Sequence, residues 1–366
     1  MESSPIAPDY TGACVANILP ALFGNTARHE NWFPLEARDA EQYVLLVLDG
    51  LGYEQLERRR LLAPTLSSMV RSRLTTVAPS TTASALTSIT TGLPPSEHGV
   101  VGYEMMVDGE LLNCLSWRTA HGDARRSLRP DQIQPYPGFL GHRPIVLTKR
   151  EFAHTGFTDA MLRDGEFVGW TAASSLVAKI LASIEDAEPF VYGYYDGIDK
   201  VSHADGLGVA FDLELQFTDL LVEQLLDRLP AEVTLLITAD HGQVQVGDGV
   251  RVIDQQILDI IWAFSGEGRF RWHHSDEPGG LFSICEELYG DEAWVCTREQ
   301  VLDEQWLGPT MAKHIVERLG DVAVVAREDV AYEHPSRERA FLLRGRHGSL
   351  TSAEMMVPLL YSRGRA

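Results

Sequence analysis

The chain has 366 residues, 45% of them hydrophobic and 23% charged, with a formal net charge of −21. That length suits one large α/β domain carrying insertions, or two domains, while the acidic excess argues against nucleic-acid polymers and anionic membrane surfaces as partners. No apolar run approaches the roughly 20 residues of a bilayer-spanning helix, Met1-Glu2-Ser3-Ser4-Pro5 lacks a basic-then-apolar leader pattern, and Cys14, Cys114, Cys285 and Cys296 form no CxxC pair and read as buried free thiols, so a cytoplasmic address is expected.

Residues 1–40 show recurrent Pro, Gly and Asn without a sustained period, and are expected to wrap the core irregularly. Tyr43-Val44-Leu45-Leu46-Val47-Leu48 is an unbroken apolar run ending at Asp49-Gly50, the pattern of a strand buried on both faces. Leu51 to Val70 reads as helical with a break near Ala63-Pro64, and Leu74–Val77 as a short strand. Thr82 to Thr91 is rich in small and apolar residues and stops at Gly92, which predicts a helix closed by a C-terminal glycine. Thr82 then stands at the N-terminus, where free N–H groups and the helix dipole favour an anion; a hydroxyl there also fits a simple N-cap. Between Gly102 and Gly169 prolines break the pattern, and residues 104–170 are expected to form a cap that chooses substrate. Thr171–Glu185 is amphipathic and helical. Pro189–Asp196 is a core strand delivering an Asp199–His203 loop. Gly208–Leu229 is a long helix with a stripe of Leu213, Phe217, Leu220, Leu221, Leu225 and Leu229. Val233–Ala239 is another buried strand, ending at Asp240-His241. Residues 246–340 alternate short strands and helices, including Ala293–Cys296 and Val322–Val325, and are expected to form a smaller lobe. The chain then returns through Phe341–Arg344, a His347 loop and a closing segment around Val357–Leu360.

Three of four segments rich in metal donors follow closely on these strand-like runs. They carry Asp49, the pair Asp199 and His203, the dyad Asp240-His241, and His347. In open α/β sheets the binding crevice lies at the carboxyl ends of the strands, so donors from opposite ends of the sequence can meet there. Three Asp and three His suit zinc or manganese, and two such ions can hold the attacking and leaving oxygens of a displacement at phosphorus. Thr82 is the hydroxyl available as nucleophile.

In these residues the chain resembles the type I phosphodiesterase and nucleotide pyrophosphatase branch of the alkaline phosphatase superfamily, over roughly residues 43–104, 188–245 and 340–361. The resemblance implies a single alkaline-phosphatase-like catalytic domain, a three-layer α/β sandwich with a mostly parallel central sheet between helices and inserted cap segments. It implies one metal held by Asp199, His203 and His347, and a second by Asp49, Asp240 and His241, most commonly zinc, with manganese in relatives. Thr82, placed by Ser88-Ile89-Thr90-Thr91-Gly92, would bridge the metals as alkoxide and pass through a phospho-threonine intermediate. Family members commonly carry an Asn shortly after the His-Gly that follows the nucleophile helix. Here His98-Gly99-Val100-Val101-Gly102-Tyr103 puts Tyr103 there, a phenol able to donate to a phosphoryl oxygen; Asn113 is another candidate donor.

The expected function is therefore two-metal hydrolysis of a phosphodiester or pyrophosphate in a small phosphorylated substrate. A phosphomonoesterase or phosphonate hydrolase on the same residues is the alternative, and a non-catalytic phosphoryl-binding protein would be expected to have lost ligands. Sulfatase chemistry is disfavoured because no Cys/Ser-x-Pro-x-Arg motif sits at the nucleophile. A serine hydrolase is disfavoured because the Gly-x-Ser-x-Gly elbow is absent.

Overall fold

The computed structural model describes residues 4–24, 31–337, 340 and 342–366. Phe341, expected to open the returning segment, and parts of the stretch expected to wrap the core (1–3 and 25–30) lie outside the described residues.

Seven strands form the central sheet: β1 (Tyr43–Leu48), β2 (Val70–Thr75), β3 (Ile145–Lys149), β4 (Glu166–Trp170), β5 (Phe190–Tyr195), β6 (Thr234–Thr238) and β7 (Met356–Arg363). Their order is β2-β7-β6-β1-β5-β3-β4. β6, β1, β5, β3 and β4 pair in parallel, whereas β7 runs antiparallel to both β6 and β2. The sheet is thus mixed but mostly parallel. β1 lies at its centre, with Val44 to Leu48 all fully buried. Each such side chain contributes on the order of 1.5–3 kcal/mol of burial, which makes the apolar run a strand rather than a surface helix.

Five helices bear on the site: α1 (Thr82–Thr91), α2 (Gly156–Met161), α3 (Ala173–Glu185), α4 (Gly197–Asp205) and α5 (Val209–Leu226). Every residue of α1 is buried, and the helix ends on Gly92 at φ 71°, the left-handed turn that glycine tolerates best. Short helices at Val15–Asn17 and Ile18–Phe23 pack against α1.

Several sequence readings are corrected. Val70 opens β2 instead of closing a helix. The proposed cap at 104–170 divides in two: Glu104–Asp123 forms a separate small antiparallel sheet, but β3 and β4 belong to the main one. These strands escaped notice because each spans only five residues, prolines and glycines adjoin them, and polar Thr148, Lys149 and Glu166 interrupt the apolar pattern. In the stripe expected on α5, Leu221 and Leu225 are buried, but Leu213, Phe217 and Leu220 are exposed. The helix has two apolar faces, and the one carrying Phe211, Leu215, Val222 and Leu226 meets the core.

Within 246–340 an antiparallel sheet contains Ala263–Glu267, Phe270–His274, Val322–Ala326 and Ala293–Thr297 in that order, backed by the helix Pro278–Tyr289. Its first hairpin is fastened to the main body by Arg269, whose guanidinium donates two hydrogen bonds of 2.7 and 2.8 Å to Glu354, both side chains being fully buried.

Candidate metal centre and nucleophile

The donors converge at the carboxyl ends of β1, β5 and β6. Asp49 follows β1 directly, and Asp240 follows β6 by two residues. Asp199 and His203 lie on α4, one turn apart, and not on the loop expected from the flanking glycines. Residues four apart share one face of a helix, so the helix brings both donors to the same point. His347 arrives from the far end of the chain because its loop is tied to the segment before α1. Ser80 N–H donates to Gly348 O at 3.2 Å, Gly348 N–H to Ser80 Oγ at 3.1 Å, and Ser80 Oγ to Ser349 O at 2.7 Å.

Two groups result, Asp199/His203/His347 and Asp49/Asp240/His241, each with its candidate ligand atoms within 4.8 Å of one another. In the first, Asp199 Oδ1 is 3.3 Å from His203 Nε2 and 3.8 Å from His347 Nε2. In the second, His241 Nε2 is 3.4 Å from both Asp49 Oδ1 and Asp240 Oδ2. The groups adjoin, since the His241 and His347 rings stack at 3.5 Å between centroids. All three imidazoles are oriented alike. Each Nδ1 faces a backbone carbonyl: Gly345 O at 2.8 Å for His203, Gly242 O at 3.0 Å for His241 and Ser80 O at 3.0 Å for His347. A carbonyl only accepts, so Nδ1 carries the proton and the Nε2 lone pair points into the site, the arrangement of metal-binding histidine.

The donor set fits divalent cations on two further grounds. Asp49 Oδ1 and Asp240 Oδ2 are buried and have no hydrogen-bond partner among the described residues. Burial holds the Asp49 carboxyl well above the usual range, and the carboxylates of Asp240 and Asp199 push it further. Burial raises Asp240 as well, against the opposing effect of His241. Desolvated acids this close are unfavourable without a cation between them. His347 is held neutral: burial, then the His241 and His203 rings, pull its pKa well below normal.

Thr82 is the first residue of α1, with Thr81 as its N-cap. Its Oγ1 lies 3.1 Å from His241 Nε2. The proposed nucleophile therefore stands against the ligand groups and at a helix N-terminus.

The structure also recruits residues that the sequence reading did not single out. Gln243 Nε2 donates to Asp199 Oδ1 at 2.6 Å, and the Tyr194 hydroxyl donates to Asp49 Oδ2. Gly50, at φ 76°, donates its N–H to Asp240 Oδ1 at 3.1 Å; a Cβ there would sit 2.8 Å from Gln243 Nε2. Gln243 could have been suspected as the continuation of Asp240-His241-Gly242. Tyr194 was hidden in a strand read as apolar, and Glu267 comes from the hairpin of the distal sheet. Glu267 has a side-chain hydrogen bond with Thr81, sits 3.6 Å from His347 Nδ1, and burial pushes its pKa up to about 8.

Thr82 opens onto a cavity of about 810 Å³, whose wall includes Tyr103, Lys200, Glu267, Arg271, Arg337 and Arg346. Arg271 and Arg346 share Glu333 at 2.7 Å each, and Arg337 binds both oxygens of Glu104 at 2.7 and 2.9 Å. Tyr103 therefore faces the cavity. Asn113 does not line it: it lies beside Tyr103, and its Oδ1 accepts from Ser116 N–H and Oγ–H at 3.0 and 2.8 Å. His98 takes no part in the site. It is buried, its Nε2 is 2.9 Å from Ser88 Oγ, its Nδ1 accepts from Val100 N–H at 3.1 Å, and burial lowers its pKa to about 3.

Solved structures with the same fold include murine ectonucleotide pyrophosphatase/phosphodiesterase 5, at 16% identity and a TM-score of 0.65, with 89% of this chain and 88% of that one covered. Another is phosphonoacetate hydrolase from Sinorhizobium meliloti 1021, at 16% identity and a TM-score of 0.66, with 89% and 91% covered. No curated protein sequence was found to match the chain. The sequence profile described as type I phosphodiesterase / nucleotide pyrophosphatase matches residues 43–350, most of the chain. With two candidate metal-ligand groups gathered beside Thr82 and the profile matched over most of its length, the chain belongs to the type I phosphodiesterase / nucleotide pyrophosphatase family.

Proposed function

We propose that the protein hydrolyses phosphodiester or pyrophosphate bonds of small substrates by transferring the phosphoryl group to Thr82 and then to water. The observation that carries this reading is the position of the Thr82 hydroxyl, 3.1 Å from His241 Nε2 and beside the two ligand groups. Asp199, His203 and His347 would hold one divalent ion and Asp49, Asp240 and His241 the other, zinc being favoured by the mix of three imidazoles and three carboxylates, with manganese as the alternative. Such ions supply positive charge that lowers the pKa of a neighbouring hydroxyl and offsets charge on the phosphoryl oxygens.

The chain's own groups do the rest. Thr82 Oγ, its proton given up to solvent, forms a bond to phosphorus as the bond to the leaving oxygen breaks, giving a phospho-threonine that still carries the substrate's second arm. Water then attacks phosphorus, the Thr82 oxygen leaves and regains a proton, and the second arm departs as its phosphate monoester. The backbone N–H groups at the start of α1 face the accumulating negative charge. Tyr103, on the cavity wall, can donate a hydrogen bond to a phosphoryl oxygen; Asn113 would contribute only by supporting Tyr103. Gln243 and Tyr194 hold Asp199 and Asp49 in place. The unpaired cysteines favour a reducing compartment, the cytoplasm.

A second reading, phosphonate hydrolysis on the same residues, draws support from Lys200 on the large cavity wall, a half-exposed ammonium that bonds Asp196 at 2.9 Å and keeps further donors for a carboxylate. The hydrolase from S. meliloti was solved with phosphonoacetate and with phosphonoformate, and an inactive form of the murine protein with AMP. Metal-loaded protein should be assayed on bis-p-nitrophenyl phosphate, p-nitrophenyl phosphate, a nucleotide ester and phosphonoacetate. Thr82→Ala is expected to lose at least ~10³-fold in turnover, the scale of removing a nucleophile, and wild type quenched in acid should carry the substrate's phosphoryl group, with its remaining arm, on Thr82. Near-normal turnover by Thr82→Ala would refute the nucleophile.

A further inference from the structure

Thr82 borders a second chamber, on the opposite side from the charged cavity in chemical character. It holds about 100 Å³ between the face of β3 and β5 and helices α1 and α2, and its walls include Leu86, Thr148, Phe157, Met161, Tyr192 and Tyr194. No charged side chain lines it. Tyr192 and Tyr194 are two apart on β5 and so share the face that meets the chamber. Their hydroxyls differ in commitment. Tyr194 donates to Asp49. Tyr192 is fully buried, and its hydroxyl has no hydrogen-bond partner among the described residues. The Phe139 ring, 5.4 Å away between centroids, packs against Tyr192 and fixes it. Thr155 and Thr158, also on the wall, spend their hydroxyls locally, Thr155 on Thr158 at 2.9 Å and Thr158 on Phe152 O at 2.7 Å.

An apolar chamber with a buried, unpartnered tyrosine on its wall, bordering the nucleophile, describes a ligand. We propose that it holds a short, uncharged organic arm of the substrate, and that the Tyr192 hydroxyl donates to an acceptor atom on that arm. A buried donor without a partner is costly, so a bound acceptor there is selected over an equally large hydrocarbon. At about 30 Å³ for each water-sized group, the space matches an arm of roughly three or four heavy atoms and is small for a bicyclic ring. The substrate is then lopsided, with a small neutral arm in this chamber and a larger part in the 810 Å³ cavity. This rests on phosphoryl transfer at Thr82 and adds the substrate class to it.

The test uses p-nitrophenyl phosphodiesters whose second arm is butyl, 2-methoxyethyl or 1-naphthyl, with metal-loaded full-length protein. The 2-methoxyethyl ester should exceed the butyl ester in kcat/KM by roughly tenfold, the scale of one buried hydrogen bond. Tyr192→Phe should erase that preference while leaving the butyl ester within about twofold of wild type. The naphthyl ester should be at least roughly tenfold poorer than the butyl ester, and Met161→Ala should recover it. Equal loss on all arms in Tyr192→Phe, or a naphthyl ester as good as butyl, would overturn the assignment. Calorimetric binding of butyl and 2-methoxyethyl phosphate to metal-loaded Thr82→Ala reads the chamber without turnover. The same order of affinities supports the chamber even if no ester is hydrolysed and the phosphodiesterase reading fails; equal affinities remove it even if the esters are turned over.

Discussion

Adding divalent metal to chelator-stripped protein is expected to raise its melting temperature, and to raise it more at pH 8 than at pH 5.5. The perturbation acts on Asp49 and Asp240, whose carboxyls burial and mutual repulsion hold above their ordinary range. In the unfolded chain these groups lose their protons near pH 4, whereas the folded metal-free protein keeps them to higher pH. Between those limits the folded state binds more protons, so its stability without metal falls as pH rises from about 4 through the raised folded values. A cation takes the place of those protons, and its gain grows across the same window. His347 adds a term of opposite sign to absolute stability: its folded pKa is depressed, so stability is lost below about pH 6.5, where the unfolded imidazole protonates. That term cancels in the metal-induced difference, because His347 stays neutral in the folded protein with or without metal. At a hundredfold excess over Kd each site adds about 2.7 kcal/mol, and two sites about 5 kcal/mol. At roughly 2 °C per kcal/mol for a large domain, the expected gain is ~10 °C. Dye-monitored melting with zinc or manganese over pH 5.5 to 8 measures it, with Asp49→Asn expected to lose about half the gain. A gain independent of pH, or one untouched by Asp49→Asn, would refute the electrostatic account of the site.

Three other outcomes follow from the same geometry. His203→Ala should lower bound zinc by elemental analysis from two ions per chain towards one, because it opens one ligand group and leaves Asp49, Asp240 and His241 intact. Arg269→Ala strands Glu354 in a dry environment and should destabilise by about 3–5 kcal/mol; denaturant unfolding reads this, and pairing it with Glu354→Gln should recover part of the loss. Tyr103→Phe should lower kcat/KM on diesters several-fold to about tenfold, one hydrogen bond's worth, with metal content unchanged; a silent variant would remove Tyr103 from the phosphoryl contacts.

The sequence by itself determined the candidate donor residues, the helix that Thr82 opens and the mostly parallel sheet. Long apolar runs such as Tyr43–Leu48 and Val233–Ala239 can satisfy their burial only as interior strands, and Gly92 marks the end of α1 by its need for positive φ. Tertiary structure decided the rest. Nothing local in Ile145–Lys149 or Glu166–Trp170 distinguishes a main-sheet strand from a cap, since that depends on β3 pairing with β5 and β4 with β3. Leu213 and Phe217 match the helical period of Leu215 and Val222 equally well, and only packing chose which face meets the core. The proton on each histidine Nδ1 is set by carbonyls of Gly345, Gly242 and Ser80, and two of these partners are more than a hundred residues away. Local preference acts between neighbours in sequence, but hydrogen bonds, charge and close packing act between neighbours in space, and the site is made of the latter.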